Sequence, residues 1–147
     1  MNHIHTLSKL LHIHEREKNE AQVKHSQSVD AFESLAESLY ELLVKKERLE
    51  EELSLSNKKR ISIGEIQSKQ SYLENLTNQI IVLQKDVSLA RETMEKDREA
   101  LTEAHIEMKK IEKMIEFRQE KIKEKIKREE SNFMDEISIQ QYMANNR

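Results

Sequence analysis

Four histidines near the N-terminus are the residues whose type and spacing come closest to a reactive site. Two histidines three or four residues apart on one helical face can bind zinc. The histidines here are His3, His5, His12 and His14, so the successive spacings are two, seven and two. Residues two apart on a helix do not face each other, and no HExxH-like pattern accompanies these four. We therefore predict solvated surface histidines, with no bound metal and no cofactor.

Carboxylates are the other group with catalytic potential, and the chain contains 28 of them. General acid–base chemistry needs such groups in an enclosed, desolvated setting. No glycine-rich phosphate loop or nucleophile elbow is present, and there is no cysteine for a disulfide or a thiolate metal site. We predict that the protein is not an enzyme and has no catalytic residues.

The composition predicts a long helix and excludes several classes of partner. Of the 147 residues, 36% are hydrophobic and 36% are charged, a balance that suits one buried seam better than a globular core. The net charge of −3 comes from interspersed acids and bases, which argues against nucleic-acid binding. No apolar run approaches the ~20 residues needed to span a bilayer. We expect a soluble, cytoplasmic protein that does not insert into a membrane.

Two heptad ladders run along almost the whole chain. The first consists of Ile4, Leu7, Leu11, His14, Lys18, Ala21, His25, Ser28, Phe32, Leu35, Leu39, Leu42, Lys46, Leu49 and Leu53. The second consists of Ile66, Lys69, Leu73, Leu76, Ile80, Leu83, Val87, Ala90, Met94, Asp97, Leu101, Ala104, Met108, Ile111, Ile115, Arg118 and Ile122. A repeat of about 3.5 residues keeps one narrow stripe against a partner helix and predicts a left-handed coiled coil.

A polar stretch at 54–62 separates the ladders and predicts a turn between two helices. Ser62 followed by Glu65 forms a capping box, and Ile61 with Ile66 forms a hydrophobic staple across it. We predict helix 1 at about 4–56, a loop at about 57–61, helix 2 at about 62–131 and a tail at 132–147, within one coiled-coil domain spanning 1–147.

The short connection predicts antiparallel neighbours, hence an all-α fold: a long two-helix antiparallel coiled coil, or helical hairpin. If Leu53 is level with Ile66, the numbers of facing residues add to about 119. Residues 116–147, called the overhang below, then extend beyond helix 1. Polar ladder positions such as Ser28 should oppose 90–101.

Apolar residues off the ladders are the main sign of a binding surface. Tyr40, Val44, Ile81, Val82 and Leu89 fall at outer heptad positions that should be wet, while Leu43 and Tyr72 flank the seam. A clustered exposed apolar surface suggests a partner site. A four-helix bundle formed by self-dimerisation explains the same residues, and both interpretations remain open here.

The overhang is rich in basic residues. Its cations are Arg118, Lys121, Lys123, Lys125, Lys127 and Arg128, and glutamates at i,i+4 spacing interleave with them. Stabilising pairs within the helix account for most of this pattern. A docking surface for an acidic partner is the alternative.

Three stretches of the chain resemble the FliJ family of the bacterial flagellar export apparatus, in its firmicute form. They are 9–18, with leucines followed by Lys/Glu pairs; 39–72, which contains Ile61-Ser-Ile-Gly-Glu-Ile66; and 135–143, Asp-Glu-Ile-Ser-Ile-Gln-Gln-Tyr-Met. The resemblance implies a coupling stalk similar to the γ stalk of rotary ATP synthases. The implied partners are the hexameric flagellar export ATPase, the export-gate membrane protein and the flagellar export chaperones. The implied location is the cytoplasmic side of the flagellar basal body, peripherally associated with the membrane.

The resemblance also suggests where these partners bind. Leu42, Tyr72 and Leu76 match the family's gate-binding residue types, whereas Ser38, Lys45, Leu49, Gln79 and Leu83 differ from them. With the off-ladder residues added, the predicted gate-binding set is Tyr40, Leu42, Leu43, Tyr72, Leu76, Ile81 and Val82. The predicted ATPase-binding set is Ile4, Leu7, Leu11, Arg118, Lys121, Lys125 and Arg128. The competing function is a self-associating structural or tethering coiled coil.

Overall fold

Two long helices make up the described part of the chain in a computed structural model, which describes residues 2–56 and 61–146. Helix α1 spans Asn2–Ser56 and helix α2 spans Ile63–Asn145, and no strand occurs in these ranges. The helices pack against each other as an antiparallel hairpin, which confirms the predicted fold class. The chain divides into two compact units: a terminal unit, Met1–Asn19 with Glu103–Arg147, and a 20–102 unit, Glu20–Thr102.

The start of α2 has the N-cap residue that the sequence predicts. The Ser62 hydroxyl accepts a hydrogen bond from the Glu65 backbone N–H at 3.3 Å, and the Ser62 carbonyl accepts one from Ile66 N–H at 3.2 Å. Ser62 is therefore the N-cap, satisfying donors that the first helical turn leaves unpaired. Ile61 and Ile66, the expected staple, are both half-buried. The rest of the predicted loop, residues 57–60, lies outside the described residues.

Replacing the cap tests its contribution. We expect Ser62→Ala to lower the free energy of unfolding by about 1 kcal/mol, because a backbone N–H loses its acceptor. Ser71→Ala is the matched control, since Ser71 is exposed inside α2, where alanine is the better helix former. Urea unfolding followed by circular dichroism gives both values. Equal effects of the two substitutions would contradict the capping role.

Helix α2 continues beyond the end that the sequence suggested. The sequence predicts that helix 2 stops at about residue 131, with 132–147 as a tail, but α2 is unbroken to Asn145. The chain has no proline, and its only glycine is Gly64. Ser131 and Asn132 are only mildly unfavourable within a helix, and extending an existing helix costs far less than nucleating a new one.

The seam of the 20–102 unit follows the ladders, but its register differs from the one expected. Leu49, Leu76, Ile80 and Val87 are its buried hydrophobic residues. Cross-helix contacts join Ser28 to Asp97, the Phe32 ring to Arg91, and Glu52 to Lys69. The numbers of these pairs add to between 121 and 125, not about 119. Sums of this size centre on the register in which a positions are level with d positions, whereas the expected pairing of Leu53 with Ile66 matched two a positions.

Candidate interaction surfaces

The residues predicted to bind the export gate divide by exposure in the 20–102 unit. Tyr40, Leu43, Tyr72, Ile81 and Val82 are exposed large hydrophobic residues. Leu42 is half-buried. Leu76, in contrast, is only 3% exposed and is a central residue of the seam. Leu76 can therefore support a binding surface, but it presents almost no area for a partner to contact.

The exposed apolar residues lie on two flanks of the helix pair. Tyr40, Leu43 and Ile81 occupy b and e positions, on one side of the seam. Tyr72 and Val82 occupy g and c positions, on the other side. In an antiparallel pair, e positions border e positions and g positions border g positions, so each group belongs to its own flank. The sequence grouped these residues by height along the helices, which does not distinguish the flanks.

Two shallow grooves lie beside these residues. One of about 390 Å³ runs beside Val82 between the helices, and its lining is Leu42, Asn78, Gln79, Val82, Leu83 and Asp86. The second, of about 230 Å³, lies on α1 and is lined by Tyr40, Glu41, Val44, Lys45 and Arg48. Asn78, Asp86, Glu41 and Arg48 were not singled out from the sequence. Only their heptad positions beside Val82 and Tyr40 could have indicated them.

Val44 does not fit the expectation of an exposed residue. It occupies an f position, the one furthest from the seam, yet it is half-buried. Tyr40 and Arg48 lie one turn away on either side and line the same groove. Long side chains at i−4 and i+4 cover a short β-branched one, which explains the reduced exposure.

A polar cluster interrupts the apolar seam of the same unit. The Ser28 hydroxyl donates a hydrogen bond to the Asp97 carboxylate, and Lys24 Nζ lies 3.8 Å from Asp97 Oδ1. Ser28 is thus opposite 90–101, as predicted. Asp97 is only 7% exposed, so its charge depends on these two partners. This polar cluster fixes the register of the two helices, because sliding either helix would leave the buried carboxylate without its two partners.

The predicted ATPase-binding residues lie in the terminal unit and also divide by exposure. Leu7 is buried, and Ile4, Leu11 and Arg118 are half-buried. Lys121, Lys125 and Arg128 are exposed. The first four residues therefore belong mainly to the packing of this unit. The three exposed cations form the part of the set that a partner can reach.

Apart from the half-buried Arg118, the charged side chains of 116–130 are exposed and do not pair with one another in the structure. The nearest ion pairs in sequence join Lys109 to Glu112 and Lys110 to Glu107. Within residues 116–130, all of which the structure describes, no ion pair is formed. Lys121 instead lies over the Phe117 ring, with Nζ 4.7 Å from its centre. The expected i,i+4 pairing is thus absent there, and the cations are available to an acidic partner.

The N-terminal histidines make local contacts with glutamates. His12 Nδ1 lies 3.6 Å from Glu15, and His14 Nδ1 lies 3.4 Å from Glu17. The His14 atom is buried and lacks hydrogen-bond geometry. Throughout the described ranges, no group of three or more His, Cys, Asp or Glu side chains is arranged to hold a metal ion. Neither described helix contains a segment apolar and long enough to cross a bilayer.

The two packed helices define a coiled-coil protein of the helical-hairpin class. Comparison with known sequences identifies its family. The family model for the flagellar FliJ protein matches residues 3–147. The flagellar FliJ protein of Bacillus subtilis (strain 168) is 41% identical over 135 residues, covering 92% of each chain. No solved structure matches the chain. The chain belongs to the FliJ family, as its sequence resemblance indicated, and this membership supports a role in flagellar protein export.

Proposed function

We propose that the protein is a non-enzymatic coupling stalk of the flagellar protein-export machinery. Its partners are the hexameric export ATPase, the membrane export gate and the export chaperones, whose turnover it assists. It acts on the cytoplasmic side of the basal body, peripherally associated with the membrane. The observation that carries this proposal is the combination of a buried seam with exposed apolar residues beside it.

The gate contact is carried by the exposed members of the predicted set. Tyr72 and Val82 lie on the same flank of the helix pair, and Val82 lines a groove there together with Leu42. An apolar groove with a polar rim of Asn78, Gln79 and Asp86 is the usual form of a helix-binding or loop-binding site. Leu76 lies beneath this surface and keeps the two helices together.

The ATPase contact is carried by the exposed cations of the overhang. Lys121, Lys125 and Arg128 are exposed and form no ion pair in the structure. Exposed cations steer an acidic partner and set the rate of encounter more than the final affinity. This contact should therefore weaken as the salt concentration rises. Changes at one contact reach the other through the seam that holds α1 and α2 in register.

Two variants test the assignment of the contacts. We expect removal of 116–147 to abolish co-purification with the export ATPase and to leave gate binding intact. We expect Tyr72→Ala to do the reverse, lowering gate affinity by about tenfold, because loss of an exposed aromatic anchor costs on the order of 1–2 kcal/mol.

Glu74→Ala is the control for Tyr72→Ala, since Glu74 is exposed at a b position on the opposite flank of the same helix. Circular dichroism establishes that each variant is folded. If both variants lost both partners while remaining helical, the two-contact stalk would be wrong.

A further inference from the structure

An apolar stripe continues along the overhang where α1 does not cover it. Its members, called the overhang stripe, are Ile122, Ile126, Phe133 and Ile137. Eleven residues make slightly more than three helical turns, so Ile122 aligns with Phe133 and Ile126 aligns with Ile137. All four therefore lie on one face of α2. Ile126 and Phe133 are exposed, and the other two are half-buried.

This stripe extends the face that α2 already buries in the terminal unit. Met108 and Ile111 are buried there, and Ile122 is the last position of the same ladder. Helix α1 begins at Asn2, and no other described segment follows the stripe toward Asn145. The exposed face is thus a continuation of a coiled-coil seam and has the form that a second helix would cover.

The spacing within the stripe identifies what kind of helix fits it. The intervals are four, seven and four residues, so they read the same from either end. A second copy running antiparallel therefore places its own Ile137 opposite Ile122 and its Phe133 opposite Ile126, twice over by symmetry. A two-fold interface requires such a self-complementary patch.

Charges beside the stripe favour the same arrangement. Lys125 and Glu136, eleven residues apart, lie on one flank, and Lys127 and Glu130 lie on the other. Antiparallel pairing brings each lysine close to the glutamate of its flank on the partner. Parallel pairing would place each flank against the other flank of the partner, which brings Lys125 nearly level with Lys127. Glu129 approaches its own copy near the two-fold axis, which limits affinity.

We propose that two copies of this chain associate through the overhang stripe as an antiparallel homodimer. The interface spans only about four helical turns and falls at the small end of specific interfaces, so the dimer is weak and forms in the micromolar range. This dimer differs from the four-helix bundle considered above, which would form through Tyr40 and Val82 in the 20–102 unit. It also stands independently of the proposed contacts with the export ATPase and gate.

Sedimentation of the full chain over a concentration series tests the dimer. We expect the mean mass to rise from the monomer value of 17.5 kDa toward twice that value. Phe133→Glu should raise the dissociation constant at least tenfold. Phe117→Glu should leave it unchanged, because Phe117 has the same 62% exposure but lies on the opposite face of α2.

Cross-linking tests the orientation, since the natural chain has no cysteine. Lys125→Cys and Glu136→Cys variants, one carrying a size tag, are mixed and oxidised. An antiparallel dimer gives the mixed disulfide in excess of either homodimer, because only the mixed pair brings the two Cα atoms within disulfide range. A parallel dimer leaves these positions on opposite sides of the helix pair and gives no excess of the mixed disulfide.

Three results would overturn the proposal. The first is a monomer at every concentration, which would leave the stripe to a different protein. The second is a dimer that survives Phe133→Glu. The third is a dimer that is lost on Val82→Glu but kept on Phe133→Glu, which would identify the four-helix bundle.

Discussion

Leu76→Ala is expected to lower the free energy of unfolding by about 2–4 kcal/mol, one of the two largest changes that we predict for this chain. Leu76 is 3% exposed, and alanine would leave a cavity between the helices as well as losing the transfer free energy of the removed carbons. A two-helix seam has few other contacts with which to compensate. Urea unfolding monitored at 222 nm measures the difference.

Leu89→Ala is the matched control for Leu76→Ala. Both residues are leucines of α2 in the 20–102 unit, but Leu89 is 61% exposed at a c position. We expect its replacement to change stability by less than about 0.5 kcal/mol. Similar losses for the two variants would mean that the seam does not lie where the ladder predicts it.

Leu76→Ala also tests whether Leu76 contacts the export gate directly or only holds the two helices together. Because Leu76 is buried, its replacement should weaken gate binding only to the extent that it unfolds the protein. Tyr72→Ala should weaken gate binding at full helicity. If Leu76→Ala reduced gate affinity under conditions where its helicity equals that of the unmodified protein, Leu76 would be a direct contact after all.

Asp97→Leu is expected to raise the free energy of unfolding by about 1–3 kcal/mol. The buried carboxylate occupies a seam position where leucine packs well, and desolvating a charge offsets much of what its partners contribute. Ser28→Ala alone should have the opposite effect, lowering stability by about 1–2 kcal/mol. It would leave the carboxylate with Lys24 as its only partner across the seam.

A double-mutant cycle isolates this contact. In the Asp97→Leu background, Ser28→Ala should be nearly neutral or stabilising, because the hydrogen bond that it removes no longer exists. Asp30→Leu, at an exposed f position, is the control and should change stability little. A loss of stability in Asp97→Leu would mean that the Ser28–Asp97–Lys24 cluster contributes net stability as well as register.

The overhang bears both the proposed ATPase contact and the overhang stripe. Lys125 belongs to both surfaces, so a second copy and the ATPase would compete for this part of α2. Phe133→Glu distinguishes the two interactions, because it should remove the dimer and leave the exposed cations of the ATPase contact in place. The stripe and the cations are therefore separable by substitution.

Sequence alone determined the helices, the seam and the cap. Every ladder position from Ile4 to Leu53 and from Ile66 to Ile122 is buried or half-buried in the structure, since a heptad repeat leaves one face to bury. Ser62 caps α2 because a short side-chain acceptor is needed wherever backbone donors lack a partner. The heptad repeat and the N-cap are local or periodic patterns, so they can be recognised in one sequence without knowing how the helices pack.

Only the tertiary structure decided the register of the two helices and the end of α2. Register depends on which knobs of one helix fit between those of the other, and Leu53 with Ile66 was as plausible from spacing as the observed pairs. The end of α2 at Asn145 could not be read from the sequence either. Weak helix formers such as Ser131 and Asn132 remain helical when the preceding turns are already formed, because extending a helix costs little.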